Sequence, residues 1–534
     1  MRRIVTVVTF SLLACSSAAA QHASHEPLVG GHVPREIIER PVPLRTGIGK
    51  VTHPTSTQSP EAQAFYEQGL AYLHSYVWLD AARSFNQALR LDPKLALAWV
   101  GLSRAYSGLE DPKASGEAQT KARDCAEGVT PREERWIRLR TLQLESMTER
   151  QNGNKRLAYV AALDEALEHD AQDAELWTLR GNVEEAGPGA FGRGQRGGAS
   201  SIVFYHEATR RVPGHFGAHH YLIHSYEQIG LFDEALKHGQ VYSAAASQVP
   251  HALHMYGHDL MKTGQMDKAI EIFGRARKLE HAYYDDEKIL RDFDWHHTHN
   301  TALLALSHRH VGQVAEAQRL LDDAASVPQP SEGRASYFRS LVADLLVARG
   351  KYDEALEIAK RLSAGTARNS RNLGTAIAAR ALIAQGKTEE ARTHLSDLPG
   401  GVEGTGSGGA IEVDLARGEF LLRTGQREAG DKILTAALTR ARRQRTPDGW
   451  IEGLFTLETI FHVARAAGDW DLARRASALL IEHDKAYGGS QYAAALVAAR
   501  DGKRAEAKAA LADAARLWKN ADADHAPVRE LRAR

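Results

Sequence analysis

Apolar residues recur every three or four positions along most of the chain, without the strict alternation of a half-buried strand. In the segment 64–93, AFYEQGLAYLHSYVWLDAARSFNQALRLDP, apolar and small residues form one helical stripe, which is interrupted near residue 75 and then resumes. A period close to 3.6 residues is typical of an α-helix that buries one face. The pattern therefore predicts an all-α protein built from pairs of helices.

A short motif marks the turn between the two helices of a pair. A glycine is followed five residues later by an alanine, because the turn needs backbone freedom and the second helix needs a small residue where it meets the first. Such pairs cannot bury their apolar faces alone, so they must stack. We expect about 10–12 helical hairpins, stacked as an α-solenoid over residues 60–520. The turn glycines are Gly230, Gly264, Gly312, Gly350, Gly386, Gly468 and Gly502.

The first hairpin resembles the tetratricopeptide repeat (TPR), with Gly69, Ala81, Phe85, Ala88 and Pro93 at that family's intervals. The resemblance implies a right-handed superhelix, with a concave groove that is lined by the first helix of each hairpin and binds the ligand. Further segments, among them PGHFGAHHYLIHSYE and HALHMYGHDL, are similar to His-rich exported bacterial TPR proteins. This second resemblance implies no particular reaction.

The N-terminus has the pattern of an export signal. MRRIVTVVTFSLLACSSAAA combines a basic start, an apolar run and a small-residue end. Two processing routes remain open: cleavage after Ala20, or lipid attachment at Cys15, whose context resembles a bacterial lipoprotein box. Both routes predict a periplasmic or secreted protein, and the second predicts attachment to the outer membrane. No later apolar run reaches the length of about eighteen residues needed for a membrane span.

The chain divides into five predicted regions. Residues 1–20 are the signal peptide, and 21–59, which lack periodicity, are an extended leader or tether. Residues 60–330 form an N-terminal TPR-like array with a His-rich groove, and 331–520 form a C-terminal array. Residues 521–534 are a tail.

Composition and motifs exclude several classes of function. Lys plus Arg equals Asp plus Glu, 67 each, which gives no electrostatic reason to expect nucleic acid or an anionic membrane as partner. Cys15 and Cys125 are the only cysteines, too few for a disulfide framework in the exported chain. The sequence has no HExxH, GxSxG or P-loop motif. A GxGxxG at Gly187, Gly189 and Gly192 follows a predicted helix instead of the strand that a dinucleotide site requires.

Histidines are concentrated in the middle of the chain, where 15 of the 25 lie between His206 and His310. Counted back from the turn glycine, they recur thirteen, ten and six residues away in three successive hairpins, positions that share one helix face. At the chain-average frequency, fifteen groove-facing positions in these hairpins would hold fewer than one histidine, but they hold seven. These are His220, His224, His251, His254, His258, His299 and, two residues before Gly312, His310.

Rows of imidazoles on neighbouring helices predict a transition-metal site. Helix axes about 8–10 Å apart let such rows converge, and histidines at i and i+4 are a common scaffold for two ligands of one metal. A set rich in nitrogen and poor in sulfur suits Zn²⁺ or Cu²⁺, while Fe and Ni remain open; Met261 shares the stripe and favours copper slightly. The predicted ligands are His220, His224, His251, His254, His258 and His299. A metal-free cluster that binds an anion or stacks on aromatic ligands, and a structural polar network, are the alternatives.

Polar residues near these rows are candidates for supporting roles. Glu227 lies on the stripe of the preceding hairpin and is a candidate catalytic general base or carboxylate ligand, with a solvated helix charge as the alternative. Imidazole ligands need acceptors that fix their tautomers. Asp259, Asp292, Asp294 and Asn300 are placed for that role, whereas His296 and His297 precede the helix and lack the register argument.

Two functions fit these observations. The first is a metal-binding solenoid of the cell envelope, used in metal handling or in a metal-dependent reaction. The alternative is a scaffold that holds a protein or peptide partner in the groove without metal. A groove row dominated by one ligand residue fits the scaffold less well, although the hairpins from Tyr337 onward lack the histidine pattern and suit it.

Overall fold

A computed structural model of the protein describes residues 33–185, 198–402, 404, 410–444 and 446–533. The predicted signal peptide with Cys15, the leader before residue 33 and the glycine motif at 187–192 lie outside the described residues.

The described residues fold into α-helices and form no β-strand. The helices of the first half are α1 (Arg35–Ile38), α2 (Pro60–His74), α3 (Trp78–Leu91), α4 (Ala96–Gly108), α5 (Pro112–Asp124), α6 (Pro131–Thr148), α7 (Gly153–His169), α8 (Ala174–Glu184), α9 (Ile202–Arg211), α10 (Phe216–Ile229), α11 (Phe232–Ala245), α12 (Pro250–Lys262), α13 (Met266–Glu287), α14 (Trp295–His310) and α15 (Val314–Ser326). Those of the second half are α16 (Glu332–Ala348), α17 (Tyr352–Ser363), α18 (Arg368–Ala384), α19 (Thr388–Ser396), α20 (Ile411–Arg423), α21 (Arg427–Arg443), α22 (Pro447–Ala466), α23 (Trp470–His483), α24 (Gly488–Arg500), α25 (Arg504–Leu517) and α26 (Ala526–Arg532).

Helices α2 to α25 pack as twelve consecutive antiparallel hairpins within the described ranges. The predicted all-α solenoid of about 10–12 TPR-like hairpins is thereby confirmed. Every predicted turn glycine has a left-handed backbone, with φ between 72° and 80°, and Gly425 (φ 83°) adds one that the sequence motif did not identify. Glycine adopts this conformation without the steric penalty that a Cβ atom brings.

Two of the early turns do not use glycine. Tyr76 (φ 56°) follows α2 and Glu110 (φ 58°) follows α4, each at the position that the left-handed glycine occupies in later hairpins. A left-handed backbone costs an ordinary L-residue about 1–2 kcal/mol. The first hairpins therefore carry a local strain that the later ones avoid.

Small residues let the helices of a hairpin approach closely. Phe85 of α3 is buried between Gly69 of α2 and Gly101 of α4, and a Cβ atom on either glycine would stand 2.4–2.5 Å from the ring. Phe273 of α13 packs in the same way against Gly257 of α12. These contacts explain why the small and aromatic positions of the motif recur along the chain.

The superhelix is wound tightly enough for distant hairpins to meet. Helix α2 contacts α10, and α12 contacts α22, although several hairpins separate them in the sequence. Farther along, the backbone N–H of Asp522 donates to the carbonyl of Gly312 (3.1 Å). First helices from both halves of the array therefore enclose a common interior.

Residues 33–59, within the predicted leader, lie against the array. The segment is mostly without regular structure, yet Val33, Ile38, Val42, Ile48 and Val51 are buried in the core. Its backbone also bonds to the repeats: the N–H of residue 45 donates to Gln68 (2.7 Å) and that of residue 56 to Glu133 (2.8 Å). It follows the first helices of several hairpins.

The predicted tail contains α26, which packs against α24 and α25. Among the described helices, none combines the length and the apolar character that crossing a bilayer would require.

Candidate metal centre

The six predicted histidines lie on three successive first helices and converge in the interior of the superhelix. Their side chains are buried, and none of these residues exposes more than 7% of its surface. They separate into two sets, in each of which one ring nitrogen of every member lies within 4.8 Å of the others. The first triad is His220 and His224 of α10 with His251 of α12, and the second triad is His254 and His258 of α12 with His299 of α14.

In the first triad, three Nε2 atoms point toward one another. The Nε2 of His220 lies 3.0 Å from the Nε2 of His224 and 3.0 Å from the Nε2 of His251. On the other side of its ring, the Nδ1–H of His220 donates to the backbone carbonyl of His74 (2.6 Å). This bond places the proton on Nδ1 and leaves the Nε2 lone pair of the neutral ring facing its two neighbours.

In the second triad, the rings are packed at ligand-like spacing. The centroid of His254 lies 4.1 Å from that of His258 and 4.7 Å from that of His299. The Nδ1–H of His254 donates to the Oδ1 of Asn300 (3.0 Å), whose Nδ2 in turn donates to the carbonyl of Phe273 (3.2 Å). Because that second bond fixes the amide orientation, His254 presents Nε2 as its acceptor atom.

Carboxylates approach the outer sides of the other two rings. The Nδ1 of His299 lies 3.5 Å from the Oδ2 of Asp448 on α22, and the Nδ1 of His258 lies 3.7 Å from the Oε1 of Glu227. Burial raises the pKa of Asp448 to about 7. A polar partner thus stands on the Nδ1 side of every ring in the second triad, the arrangement that orients imidazole ligands in metal sites.

Glu227, the candidate general base, forms a buried ion pair. Its Oε1 accepts a hydrogen bond from the Nζ of Lys262 (2.9 Å), and burial raises the pKa of this carboxyl while the lysine lowers it. The same oxygen faces the Nδ1 of His258. This position suits a group that orients His258 better than a base that collects a proton from a substrate.

A further histidine stands between the two triads. The ring of His296 lies edge-on to His254 (4.5 Å between centroids) and to His251 (5.1 Å). Its Nδ1–H donates to Glu280 (2.5 Å), whose other oxygen accepts from the Nδ1–H of His297 (3.0 Å). Burial raises the pKa of Glu280, but the hydrogen bonds from both histidines outweigh it and lower the pKa to about 2. His296 thus adds a seventh imidazole, which the register argument omitted.

Aromatic rings surround the first triad. Tyr242 of α11 stacks on His220, with centroids 4.7 Å apart and planes at 16°. The ring centroid of Tyr76 lies between 4.7 and 6.1 Å from those of the three imidazoles, and that of Trp295 lies 5.7 Å from that of His251. The first triad is therefore surrounded by aromatic rings, whereas the second combines aromatic neighbours, Phe273 and Trp295, with the polar and charged groups described above.

Two other groups have metal-like composition but internal hydrogen bonds. Glu175 accepts from the Nε2–H of His74 (2.9 Å) and of His215 (3.0 Å). The remaining nitrogens of both rings accept bonds from the hydroxyl of Tyr221 (2.8 Å) and the N–H of Ala218 (3.0 Å). This group is a satisfied polar network that needs no ion. In the group of His281, His297 and Asp323, the carboxylate already accepts from Arg277 and Arg291.

Several predicted neighbours lie elsewhere. His310 shares the stripe, but its Nε2 binds Asp484 (2.8 Å) near the start of α24, far from either triad in the fold. The sulfur of Met261 accepts from Ser307. Asp294 caps α14 and accepts from Tyr284, Asp292 lies in the 3₁₀ turn before α14, and Asp259 faces Gly239 of α11. Of the four predicted acceptors, Asn300 is the one in hydrogen-bond contact with a triad ring in the described structure.

Comparison with known proteins gives no family for this chain. No protein-family model matches the chain, and no curated protein matches it. A protein of Podosopora anserina, described as a kinesin light chain with nearly identical TPR-like repeats, is 23% identical over 34% of this chain and 93% of its own length, with a TM-score of 0.31. The structure of Naa15/Naa10 bound to HypK-THB covers 88% of this chain and 91% of that chain at 12% identity, with a TM-score of 0.25. The stacked hairpins described above make this a TPR-like helical repeat protein, and likeness to other structures at this level indicates no ligand.

Proposed function

We propose that the protein binds transition-metal ions in its two histidine triads, one ion in each, and serves in metal handling or in a metal-dependent reaction. The ligands of the first ion are His220, His224 and His251, and those of the second are His254, His258 and His299. Asn300, Glu227 and Asp448 orient the rings of the second set.

One observation carries this proposal: the Nε2 of His220 lies 3.0 Å from two other Nε2 atoms at once. A ring nitrogen offers a single lone pair or a single N–H, so hydrogen bonding can satisfy one of these contacts and not both. A metal ion satisfies both, since nitrogens bound at about 2.0–2.1 Å to one tetrahedral ion lie about 3.3 Å apart, within a few tenths of an ångström of the spacing found here.

The ligand set favours Zn²⁺ or Cu²⁺. Neutral imidazoles bind both ions well, whereas Ca²⁺ and Mg²⁺ prefer oxygen ligands. Iron and nickel also accept three imidazoles and remain alternatives within the proposal. Three protein ligands leave a coordination position open, as in catalytic metal sites.

We also propose that the protein acts outside the cytoplasm, in the periplasm or as a secreted or outer-membrane-attached lipoprotein. The support is the export-type N-terminus, with its alternative processing at Ala20 or Cys15. We also propose, from the resemblance of its sequence segments, that the chain is related to the exported His-rich TPR proteins.

A scaffold function remains the alternative, because TPR-like arrays commonly hold protein partners. The burial of the inner faces of α10, α12 and α14 opposes it at the triads, since a peptide cannot reach side chains that are almost fully enclosed. A protein partner would therefore contact other surfaces of the array and could be present together with the metal.

Elemental analysis of the untagged mature protein tests the proposal. We expect two equivalents of metal per chain. The double variant His220→Ala/His251→Ala should lose one equivalent, and His254→Ala/His258→Ala should lose the other.

A matched control is His219→Ala/His238→Ala, which also removes two contacting histidines (Nδ1 atoms 2.7 Å apart) from α10 and α11 but lies outside the triads. It should keep both equivalents. Wild-type protein that is purified without metal and takes up neither Zn²⁺ nor Cu²⁺ at micromolar concentration would overturn the proposal. Variants that alter partner capture but leave the metal content unchanged would favour the scaffold.

A further inference from the structure

A further group of possible metal ligands lies outside the triads, where α13, α14 and α15 meet. It consists of His281 on α13, His297 on α14 and Asp323 on α15, and we call it the outer cluster. One ring nitrogen of each histidine and one oxygen of the carboxylate all lie within 4.8 Å of one another. The members of the two triads meet the same limit, so the outer cluster has ligand atoms at comparable spacing.

Both imidazoles of the outer cluster have a buried nitrogen to offer. Among the residues that the structure describes, the Nε2 atoms of His281 and His297 are buried and have no hydrogen-bond partner. The Nδ1–H of His297 donates to Glu280 (3.0 Å), which leaves the lone pair on Nε2. A carboxylate on the far nitrogen is the usual support of a metal-bound imidazole. His74 and His215 differ, because both nitrogens of each ring are already hydrogen-bonded.

Asp323 contributes an oxygen despite its ion pairs. Its Oδ2 accepts a hydrogen bond from Arg277 (2.7 Å), and its Oδ1 accepts one from Arg291 (3.1 Å). A carboxylate oxygen has two lone pairs, so each oxygen keeps one that can bind an ion. The two guanidinium groups repel a cation, and we therefore expect weaker binding here than at the triads.

The outer cluster is also more accessible than the triads. His281 and Asp323 are half-buried, whereas no triad histidine exposes more than 7% of its surface. An ion can therefore reach the outer cluster from solvent while the interior of the superhelix stays closed. Tetrahedral binding would bring the ligand atoms to about 3.3 Å from one another, which the half-buried side chains can achieve by small rotations.

We infer that His281, His297 and Asp323 form a third metal site, which binds Zn²⁺ more weakly than the triads and exchanges it with solvent. Two imidazoles and a carboxylate are a common zinc ligand set, in which water takes the fourth position. The site is separate from the two triads and binds an ion whether or not they do. Because its ion exchanges, it is lost during purification and adds nothing to the two equivalents expected in the purified protein.

Equilibrium dialysis of the untagged full chain against rising Zn²⁺ concentrations tests the inference. We expect a third equivalent to bind after the two of the triads. His281→Ala should lose the third equivalent and keep the other two, whereas His254→Ala/His258→Ala should keep the third. His281→Gln, a more conservative change, should also lose it, which covers the case in which alanine disturbs the packing of α13.

His308→Ala is the matched control, because His308 is also half-buried on α14 but its Nδ1 already contacts Gln313 (2.6 Å). This variant should keep all three equivalents. A third equivalent that survives both changes of His281, or that is missing from the wild type, would overturn the inference and leave the proposed function intact. Binding of a single ion that the changes of His281 abolish and the triad variants retain would instead overturn the proposed function alone.

Discussion

The two halves of the solenoid place different chemistry at the same positions of the repeat. Six residues before the turn glycine, the middle hairpins carry His224 and His258, whereas three later hairpins carry Asp344, Arg380 and Glu419. In the later hairpins these residues pair across neighbouring helices. Arg380 donates to Asp344 (2.8 Å) and its Nε lies 3.7 Å from Glu419.

The difference shows what each inner face needs in order to be stable. Opposite charges on adjacent helices satisfy one another, and Arg309 adds a second hydrogen bond to Asp344 (2.8 Å). Burial raises the pKa of Asp344, but the two arginines outweigh it and lower the pKa to about 2. Imidazoles on adjacent helices instead bring ring nitrogens close together, as at His220, His224 and His251. The later row is held by ion pairs between its own side chains, whereas the histidine row is where the proposed ions would bind.

The largest expected effect comes from breaking the ion-pair half. Arg380→Met leaves Glu419 buried without its nearest cation and removes one of the two arginines from Asp344. Loss of one partner from a buried pair typically costs about 3–5 kcal/mol, and we expect that loss in urea unfolding. Arg474→Met, which breaks exposed pairs with Asp471 and Asp501, should cost less than about 1 kcal/mol. Equal losses of unfolding free energy in Arg380→Met and Arg474→Met would show that the buried ion pairs stabilise the fold no more than exposed ones do.

The next effect concerns the histidine half. Metal at about one hundred times its dissociation constant should stabilise the protein by about 2.7 kcal/mol for each ion that it binds. Hydrogen exchange should locate the gain in α10, α12 and α14, because the triads join these helices, and should leave α16, α18 and α20 nearly unchanged. If metal slowed hydrogen exchange equally in all helices, or in none, the proposed difference between the histidine half and the ion-pair half would be wrong.

The smallest effect is a pH dependence at His462, which stands six residues before Gly468 in α22 and is the one histidine at this position in the second half. Burial lowers its pKa to about 4. Between pH 6.5 and 4 the unfolded chain therefore binds the proton more readily than the folded one, so stability is present above pH 6.5 and falls as the pH falls toward 4. The slope is at most about 1.4 kcal/mol per pH unit.

We expect metal-free wild-type protein to lose about 1 kcal/mol more than His462→Leu when the pH is lowered from 7.5 to 5.5. Denaturant unfolding of both proteins at the two pH values measures the difference. Identical losses would mean that His462 titrates normally in the folded protein.

The sequence predicted the hairpins and the grouping of six histidines on successive first helices, because both follow from positions within one repeat, but it did not predict their division into two triads. The period of 3.6 residues, the turn glycines and the offsets of thirteen, ten and six are local features. From these features alone, the sequence predicts that His220, His251 and His254 lie on the same face of neighbouring first helices. The curvature of the superhelix is not needed for that prediction. The role of these residues as metal ligands stays a prediction.

The remaining parts of the centre depend on contacts that no single repeat encodes. Asp448 reaches His299 because the superhelix brings α22 beside α12, and Tyr76 reaches His220 through the contact of α2 with α10. His310 lies eleven residues after His299 on α14, so the rise of the helix places it about 16 Å farther along, where it contacts Asp484. The signal for Tyr76 was present in the alignment of hairpins, as a tyrosine at a glycine position, but its side-chain direction depends on the left-handed backbone.

The position of segment 33–59 in the fold constrains the order in which parts of the chain can pack. The segment leaves the ribosome before any repeat, yet its seat includes Phe216, which lies against Gly49, and Glu287, which binds Arg45. These contacts cannot form until the chain has been synthesised through α13. Segment 33–59, which precedes the repeats, must therefore be among the last parts to pack. Segment 33–59 therefore packs over the interior only after the helices that it contacts have folded.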